Sequence, residues 1–367
     1  MEWASVRGRF WLVGAGILFL VFLTARIALS IPARFEDYFI KQKGISLSTA
    51  GLRISYLWSF ATDDDGRLFF LDARGRQLLV FDNDGRFITR VGGDGQGPGE
   101  YKVPRTVYID SSHRIYVVDS HARRINIYGP EGKFLDSFLI TSSHGPGDIV
   151  TDSHANVFMG GLGMPASPGA RGDWLQKYDS QGRFVRSFYK DISGKDWVFR
   201  MNPNFLFDVY EDMIYAMQIN RYDIQVFNSD GDLVKSYGRA PSYYRAPDES
   251  YVMDEKKFPS VDKIRDKLYR LMESWTRPMH LEIIDPGTIL IQSAANGLVK
   301  GCSKKHIIDL WSTKGDLMAE AIPCDYPFLC SDRKGNCYFL ESTNQDEALD
   351  KDAEYTIGKY SLSLHAK

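Results

Sequence analysis

The stretch VYIDSSHRIYVVDSHARRINIYGPEGKFL, residues 107–135, decides the fold. It holds three short runs of β-branched and aromatic residues, VYI, IYVVD and RINIY, and a further run begins at Phe134. The intervening segments DSSH, SHAR and GPEG are rich in the residues that form tight turns. Short strands joined by tight turns predict a four-stranded antiparallel sheet.

This pattern returns along the chain at a nearly regular interval. A strand that ends in an aromatic residue, as in QLLVFDNDGRF and IQVFNSDGDL, places its aromatic at intervals of 47, 50, 49, 84 and 49 residues. These aromatics are Phe81, Tyr128, Tyr178, Phe227, Trp311 and Tyr360. A second landmark, in the preceding strand, also counts six: Phe69, Tyr116, Phe158, Tyr215, Leu290 and Tyr338. A period of 40 to 50 residues is typical of repeated four-stranded units.

Six such units predict an all-β fold, a six-bladed β-propeller with four-stranded antiparallel blades, over residues 35–367. A parallel α/β fold is excluded because helical patterns are lacking between the strands. The sixth unit is one strand short, since only three residues follow YTIGKYSLSL. We therefore expect residues near Phe35 to Lys43 to supply the outermost strand of blade six and close the ring.

The long 84-residue interval indicates an insertion, about residues 247–277, between blades four and five. Within it, Ser260 precedes VDKIRDKLYRLMESW, whose apolar residues recur at helical spacing, and Pro278 follows as a stop signal. The pattern predicts an amphipathic helix. Its apolar stripe either packs on the propeller or serves as a lid or docking helix for a partner.

Residues 11–31, WLVGAGILFLVFLTARIALSI, are long and apolar enough to span a bilayer core of about 30 Å. Arg7 and Arg9 precede this segment, so the positive-inside bias keeps residues 1–10 in the cytoplasm and exports the rest. The segment predicts a transmembrane signal-anchor, with the propeller in the periplasm or at the cell surface. A cleaved signal peptide is the alternative, and would give a secreted protein.

Composition limits the partners and the compartment chemistry. Lys plus Arg number 45 against 47 Asp plus Glu, so no basic excess exists for nucleic-acid binding. The four cysteines, all in the last 66 residues and without a CxxC pair, are Cys302, Cys324, Cys330 and Cys337. Outside the cytoplasm an even set predicts one or two disulfides, and buried free thiols are the alternative.

The segment GGDGQGPGEY, Gly92 to Tyr101, and the strands that follow it resemble the NHL-repeat and TolB-like group of six-bladed propellers. The chain is most similar to exported bacterial propellers that carry a GxGPGEF-type segment after the first blade. The resemblance covers roughly residues 50–365 and is specific for blades one and two. It implies a closed six-bladed propeller that binds a protein or a small ligand. Some relatives are lyases or metal-dependent lactonases, but none of their catalytic patterns is present here.

Candidate ligand-binding residues lie at two places. The turn between the second and third strands of blade two would present a basic rim of His121, Arg123 and Arg124, although local Asp-to-Arg pairing explains such a turn equally well. Arg105 and His280 begin innermost strands, which line the channel of a propeller, and Glu100 lies close to Arg105 in sequence. These three predict a small polar cluster at one mouth. No catalytic residue, metal ligand or cofactor is predicted, because HExxH and GxSxG motifs are absent.

These observations favour a non-catalytic binding module that presents the loops at one propeller end to a protein, peptide or glycan outside the cytoplasm. The first alternative is an enzyme, a lyase or hydrolase with or without a metal, that uses the mouth of the channel. The second is a structural partner in an envelope complex that docks through the inserted helix. The fold alone does not choose among them.

Overall fold

A computed structural model describes residues 33–48, 54–141, 145–162, 173–190, 205–219, 221–246, 275–294, 305–343 and 354–364. The chain divides into two units, residues 1–34 and residues 35–367. The predicted cytoplasmic end (residues 1–10) and membrane segment (residues 11–31) lie outside the described residues. Within the described part of the chain, no helix is long and apolar enough to cross a membrane.

The described part of residues 35–367 forms one helical turn, α1 (Phe35–Tyr38), and 24 strands in six four-stranded antiparallel sheets. Blades one and two, from the innermost strand outward, contain β2 (Leu57–Thr62), β3 (Leu68–Asp72), β4 (Gln77–Phe81), β5 (Phe87–Val91), and β6 (Pro104–Ile109), β7 (Ile115–Asp119), β8 (Arg124–Tyr128), β9 (Phe134–Leu139). Blades three and four contain β10 (Gly145–Thr151), β11 (Val157–Leu162), β12 (Asp173–Tyr178), β13 (Phe184–Lys190), and β14 (Phe205–Tyr210), β15 (Met213–Gln218), β16 (Ile224–Phe227), β17 (Leu233–Tyr237). Blades five and six contain β18 (Arg277–Asp285), β19 (Thr288–Ala294), β20 (His306–Ser312), β21 (Leu317–Cys324), and β22 (Phe328–Ser331), β23 (Asn336–Thr343), β24 (Tyr355–Leu362), β1 (Phe39–Ser46). The predicted six-bladed propeller is confirmed.

Blade six is completed by the amino-terminal strand of the propeller. Strand β1 pairs antiparallel with β24, with Phe39 opposite Leu362 and Ile45 opposite Ile357. Phe35, in α1, stacks on Phe39 with the ring centroids 4.8 Å apart. The prediction that residues near Phe35 to Lys43 supply this strand is therefore confirmed.

The hairpin after the innermost strand is built on one aspartate in four of the blades: Asp63, Asp110, Asp152 and Asp332. In blade two, Oδ1 of Asp110 accepts the backbone N–H groups of Ser112 and Arg114 at 2.9 and 2.8 Å. Its Oδ2 accepts Nε of Arg114 at 2.7 Å. The aspartate thus satisfies the donors of a turn that has no other backbone partners for them, which explains the Asp-rich turns of the sequence.

The hydrophobic core lies between the blades rather than inside any one of them. Between blades one and two, for example, Phe69 and Val80 pack against Val117 and Tyr128, and all four are at most 2% exposed. Gly132 has a φ of 81°, and a Cβ there would come within 2.6 Å of Cγ2 of Val91 on the neighbouring blade. Each blade is therefore stable only against its neighbours, as expected for a radial repeat.

The predicted inserted helix falls almost entirely outside the described residues, since residues 247–274 are not described. Trp275 and Thr276 are buried and non-helical, and β18 begins at Arg277, so Pro278 lies in a strand instead of stopping a helix. Thr276 N–H donates to the Arg245 carbonyl at 3.0 Å, and Arg245 N–H donates to Oγ1 of Thr276 at 3.0 Å. The insertion therefore leaves and re-enters the propeller at one point.

Two of the four cysteines do not form the predicted disulfides. Cys330 and Cys337 are buried free thiols, and burial raises the pKa of both well above the usual range. Cys324 is buried, with its sulfur 3.2 Å from the Tyr326 carbonyl oxygen, and Cys302 lies outside the described residues. The strands that carry Cys330 and Cys337 are therefore held together by strand pairing and packing rather than by a disulfide.

We expect Phe39→Ala to lower the free energy of unfolding by about 3–5 kcal/mol, because it empties a fully buried site in the closing strand. Phe39 is 1% exposed, whereas its neighbour Ile40 is 45% exposed. Ile40→Ala is the matched control, with an expected change within about 0.5 kcal/mol. Equilibrium denaturation followed by tryptophan fluorescence measures both, and equal losses would contradict a closure that depends on the buried face of β1.

Candidate functional site

The innermost strands of the blades enclose a central channel with two chambers. The upper chamber, about 490 Å³, is lined mainly by the innermost strands themselves. The lower chamber, about 360 Å³, is lined by the ends of these strands and the hairpins that follow. Residues that line both include Thr62, Tyr108, Ser331 and Arg333. The channel is therefore one feature with two chemically different ends.

Arg333 lies at the boundary between the two chambers. It belongs to the hairpin after β22 in blade six, yet its Nη2 donates to Oδ1 of Asp208 in blade four at 2.6 Å. Its Nη1 donates to the Val209 carbonyl at 2.7 Å. Burial by itself lowers the pKa of Arg333, but Asp208, Tyr108 and Glu282 together outweigh this effect, so the pKa is raised. The guanidinium thus stays charged and links two blades that are not neighbours.

Glu282 joins blade five to blade six beside this pair. Its Oε1 accepts both the N–H and the hydroxyl of Ser331 at 2.6 Å. Asp208 extends the network, because its Oδ2 accepts the N–H of Ile283 at 2.9 Å. Burial, reinforced by the nearby Asp208 charge, raises the pKa of Glu282 to about 7. A carboxyl group that titrates near neutrality therefore lies in the channel wall, where three blades meet.

The structure places Asp208 and Glu282 at equivalent positions of their blades. Asp208 pairs with the landmark residue Tyr215, and Glu282 pairs with Leu290. The residues at this position in blades one to six are Ala61, Tyr108, Val150, Asp208, Glu282 and Cys330. Neither acid is among the residues predicted from the sequence, although aligning the six repeats shows both as charges among mostly uncharged equivalents.

An aromatic and cationic pair marks the entrance to the upper chamber. Trp58 in blade one is 49% exposed, and the Arg105 guanidinium of blade two lies 5.3 Å from its ring centroid. Nε of Arg105 also donates to Oγ of Ser120 at 3.3 Å. The Tyr56 ring lies 5.8 Å from the Trp58 ring. The large Trp58 side chain is thus held in place at an opening, with about half of its surface available to a ligand.

His280 and Asp148 are further residues of the upper chamber, and the Asp148 side chain is exposed. The His280 ring packs edge-on against Phe328 at 5.8 Å, and burial lowers the pKa of His280 to about 4, so the ring is neutral at pH 7. Oδ1 of Asp148 accepts the Thr106 hydroxyl at 3.1 Å. Burial raises the pKa of Asp148, with the Thr106 hydrogen bond opposing that shift. Both side chains line the chamber.

The structure brings together two of the predicted ligand-binding residues, Arg105 and His280, which both line the upper chamber. Glu100 is absent from the described lining; its Oε2 accepts the Gly97 N–H at 2.8 Å, and its carbonyl accepts Nη2 of Arg124. Glu100 and Arg124 therefore stabilise the glycine-rich loop.

His121 and Arg123 lie with Arg124 at the turn that joins β7 to β8, as expected. The N–H of His121 donates to Oδ1 of Asp119 at 3.0 Å, and Arg123 has a φ of 50°. A ligand-binding role for this turn stays a prediction.

The lower chamber is acidic. Its lining includes seven carboxylates: Asp63, Asp64, Asp110, Asp152, Glu211, Asp212 and Asp332. Two groups have donor atoms within 4.8 Å of one another, namely Asp63, Asp65, His113 and Asp152, His154, Asp212. Oδ2 of Asp63 already accepts Nε of Arg67, and Oδ2 of Asp152 accepts Nδ2 of Asn156, each at 2.7 Å. These aspartates thus hold their own turns, and a metal would have to displace those donors.

Residues 54–257 match the sequence family described as Domain of unknown function (DUF4934). The chain belongs to this family. The match covers blades one to four and the start of the insertion, and it carries neither the NHL nor the TolB name. Among curated proteins, none matches the chain in sequence.

Solved structures of low sequence identity share the fold. A predicted exported protein from Bacteroides fragilis has 11% identity and a TM-score of 0.61, over 90% of this chain and 97% of that one. A DUF4221 family member from Bacteroides vulgatus has 12% identity and a TM-score of 0.60, over 89% and 98%. Virginiamycin B lyase from Staphylococcus aureus has 11% identity and a TM-score of 0.52, over 88% and 99%. The fold therefore occurs in an enzyme as well as in proteins without a named activity.

We expect the contribution of Glu282 to the free energy of unfolding to fall as pH rises from about 4.5 to about 7, because its raised pKa means that the folded state holds this proton more tightly than the unfolded chain. The loss amounts to at most about 3 kcal/mol. Glu282→Gln should flatten this part of the profile, whereas the exposed control Glu131→Gln should not. Urea denaturation at a series of pH values measures it, and identical profiles for wild type and Glu282→Gln would disprove the assignment.

Proposed function

We propose that the protein is a binding protein that works outside the cytoplasm and holds the end of its ligand in the upper chamber. The observation that carries this proposal is Trp58, which Arg105 holds half-exposed at the entrance. Exposed aromatic side chains held rigidly beside a cavity bind ligands well, since they bury much surface at a small cost in conformational entropy.

The walls below the entrance support the same function. Phe60, Val107, Phe207 and Leu281 provide apolar surface that lines the chamber, and Asp148 adds a polar group. The chamber thus offers apolar patches beside several polar and charged groups, which suits a ligand that carries both kinds of surface. The ligand class is a protein, a peptide or a glycan.

The proposal includes export from the cytoplasm and a relationship to NHL-repeat and TolB-like propellers. The apolar segment of residues 11–31 supports export with an anchor or a cleaved signal, and an exported protein from Bacteroides fragilis shares the fold. The likeness of blades one and two to NHL-repeat and TolB-like propellers supports a role in binding. The export proposal rests on the apolar segment and on this shared fold, and the proposed role in binding rests on the sequence pattern of blades one and two.

We expect Trp58→Ala to weaken ligand binding at least tenfold, because it removes the aromatic surface at the entrance. Ile88→Ala is the matched control: Ile88 is also 49% exposed and lies in the outermost strand of the same blade. The soluble body, residues 35–367, is presented with a mixed panel of glycans and peptides, and retained ligands are identified by mass spectrometry. Unchanged retention by Trp58→Ala would rule out the upper chamber as the binding site.

An enzyme is the second candidate, and Glu282 favours it. A carboxyl group with a pKa of about 7 can give and take a proton at neutral pH, and Ser331 fixes its position. The charged Arg333 nearby is able to stabilise a developing negative charge. Virginiamycin B lyase shows that this fold supports lyase chemistry. The reaction class would be lyase or hydrolase chemistry in the channel.

If a retained ligand is converted, we expect Glu282→Gln to reduce turnover by about 10²–10⁴-fold while leaving retention nearly unchanged, because the amide cannot transfer the proton. The pH profile of the wild-type rate should bend near pH 7. Glu131→Gln serves again as the control. Equal turnover by wild type and Glu282→Gln would exclude Glu282 as the acid or base.

A further inference from the structure

Trp58 and Arg105 occupy the same special position in neighbouring blades. In blade one the pairing of β2 with β3 shifts register across Trp58, so this residue is an extra, bulged one. In blade two the pairing of β6 with β7 shifts in the same way across Arg105. A β-bulge re-aims a side chain, and bulges are common beside binding and catalytic sites. The bulges thus account for the stacked pair at the entrance of the upper chamber.

This pair belongs to a row of four stacked side chains across the two blades, which we call the aromatic ladder. The Arg74 guanidinium carbon lies 5.0 Å from the Tyr56 ring centroid. Tyr56 is followed in the row by Trp58, at 5.8 Å between ring centroids, and Trp58 by Arg105, at 5.3 Å. Stacking uses the flat face of a guanidinium and leaves the N–H groups at its edge to donate. At the Arg105 edge, only Nε has a partner among the described residues, namely Oγ of Ser120.

The cations beside the aromatic ladder are neutralised, whereas its own two arginines are not. Nη1 of Arg76 and Nζ of Lys102 both donate to the Asp94 carboxylate, at 2.8 and 3.2 Å. Within the described part of the chain, neither Arg74 nor Arg105 forms an ion pair with a carboxylate. Aromatic rings, and not acids, therefore hold these two guanidiniums. Each one offers a binding place to the anionic group of a ligand.

The chamber limits the kind of anion. The planar fork of an arginine side chain matches a carboxylate, which it binds through two parallel hydrogen bonds. Asp148 lines the same chamber with an exposed side chain, and Asp208 and Glu282 lie in its wall, so the chamber as a whole is not strongly positive. A ligand with a single negative charge on each unit suits this balance better than a doubly charged phosphate.

The other groups of the chamber favour a sugar as the carrier of the carboxylate. One face of a sugar ring consists largely of C–H groups, which stack on the electron-rich face of an aromatic ring such as that of Trp58. Sugar hydroxyls need polar partners, and the chamber lining supplies Ser59, Asp148 and the neutral ring of His280. The acidic side chain of a peptide carries no such ring beside its carboxylate.

We propose that the upper chamber binds an acidic glycan through a uronic acid unit, with the sugar ring stacked on Trp58 and its carboxylate paired with Arg105. This inference rests on the proposed function of the chamber and names the ligand class. The next acidic unit of the glycan lies outside the chamber, toward Tyr56 and Arg74. Esterification removes the charge but keeps the ring and its hydroxyls, so an ester loses the pairing and keeps the stacking.

The test uses the full chain in a neutral detergent and two probes. One probe is a mixture of short uronic acid oligosaccharides prepared from pectate and alginate, and the other is the same mixture after methyl esterification. Affinity selection with mass spectrometry should show retention of the acids and about tenfold weaker retention of the esters, because a charge-assisted pair is lost. Retention of the acids should also fall as the salt concentration rises, since the pair lies at an opening.

Arg105→Gln should weaken retention of the acids by about tenfold, because the amide carries no charge. The ratio of acid to ester retention should then approach one, which a loss of support for Trp58 alone would not cause. Arg90→Gln is the matched control: Arg90 is an exposed arginine in β5, the outermost strand of blade one, and its loss should leave the ratio unchanged. A circular dichroism spectrum shows whether each variant folds, and the comparison of acid with ester needs no variant.

The outcomes separate this inference from the proposed function. Equal retention of acids and esters, or no retention of either, overturns the acidic-glycan inference. Stronger retention of tetraglutamate than of the oligosaccharides overturns it too, because the carboxylate would then belong to a peptide. If neutral ligands of the mixed panel are nevertheless retained and lost in Trp58→Ala, the binding function still stands. If Trp58→Ala retains everything that wild type retains, the proposed function fails as well.

Discussion

The pairing of β1 with β24 is the constraint on which the rest of the molecule depends. It joins residues more than 300 positions apart, Phe39 and Leu362, and completes the last blade. The core lies between blades, so each blade needs a neighbour on both sides, and an open ring would leave two apolar faces in water. Closure therefore fixes the inner strands at one radius and creates the channel.

The channel owes its chemistry to the places where the repeat is broken. At the position held by Ala61, Tyr108 and Val150 in blades one to three, blades four and five carry Asp208 and Glu282. Burying charge between blades costs stability unless partners are supplied, and Arg333 and Ser331 supply them from blade six. This network costs stability relative to uncharged residues at the same positions. In return, one side of the channel wall carries a carboxyl group, Glu282, that can exchange a proton near neutral pH.

The fold was predictable from the sequence because its determinants are local. Turn aspartates, glycines with positive φ and short strands rich in β-branched and aromatic residues recur along the repeat. The closing strand was predictable as well, because the sixth unit has one strand too few. The site was less predictable. Arg105 and His280 were found because they begin inner strands, whereas Glu100 faces its own loop, a choice that depends on one backbone hydrogen bond. Trp58 acquires its meaning only from Arg105 on the neighbouring blade, a contact that leaves no signal within one repeat, whereas Asp208 and Glu282 stand out once the six repeats are aligned position by position.

The two hydrogen bonds between Arg245 and Thr276 bear on how the insertion could change in length during evolution. Because the insertion leaves and re-enters at one hydrogen-bonded pair, its ends are already held together by the propeller. The entropic cost of a longer loop grows only with the logarithm of its length, about 0.6 kcal/mol per doubling. This position can therefore accept segments of very different size, up to a whole domain, without disturbing the blades. It is the natural point at which members of such a family would diverge, and at which a foreign domain could be grafted.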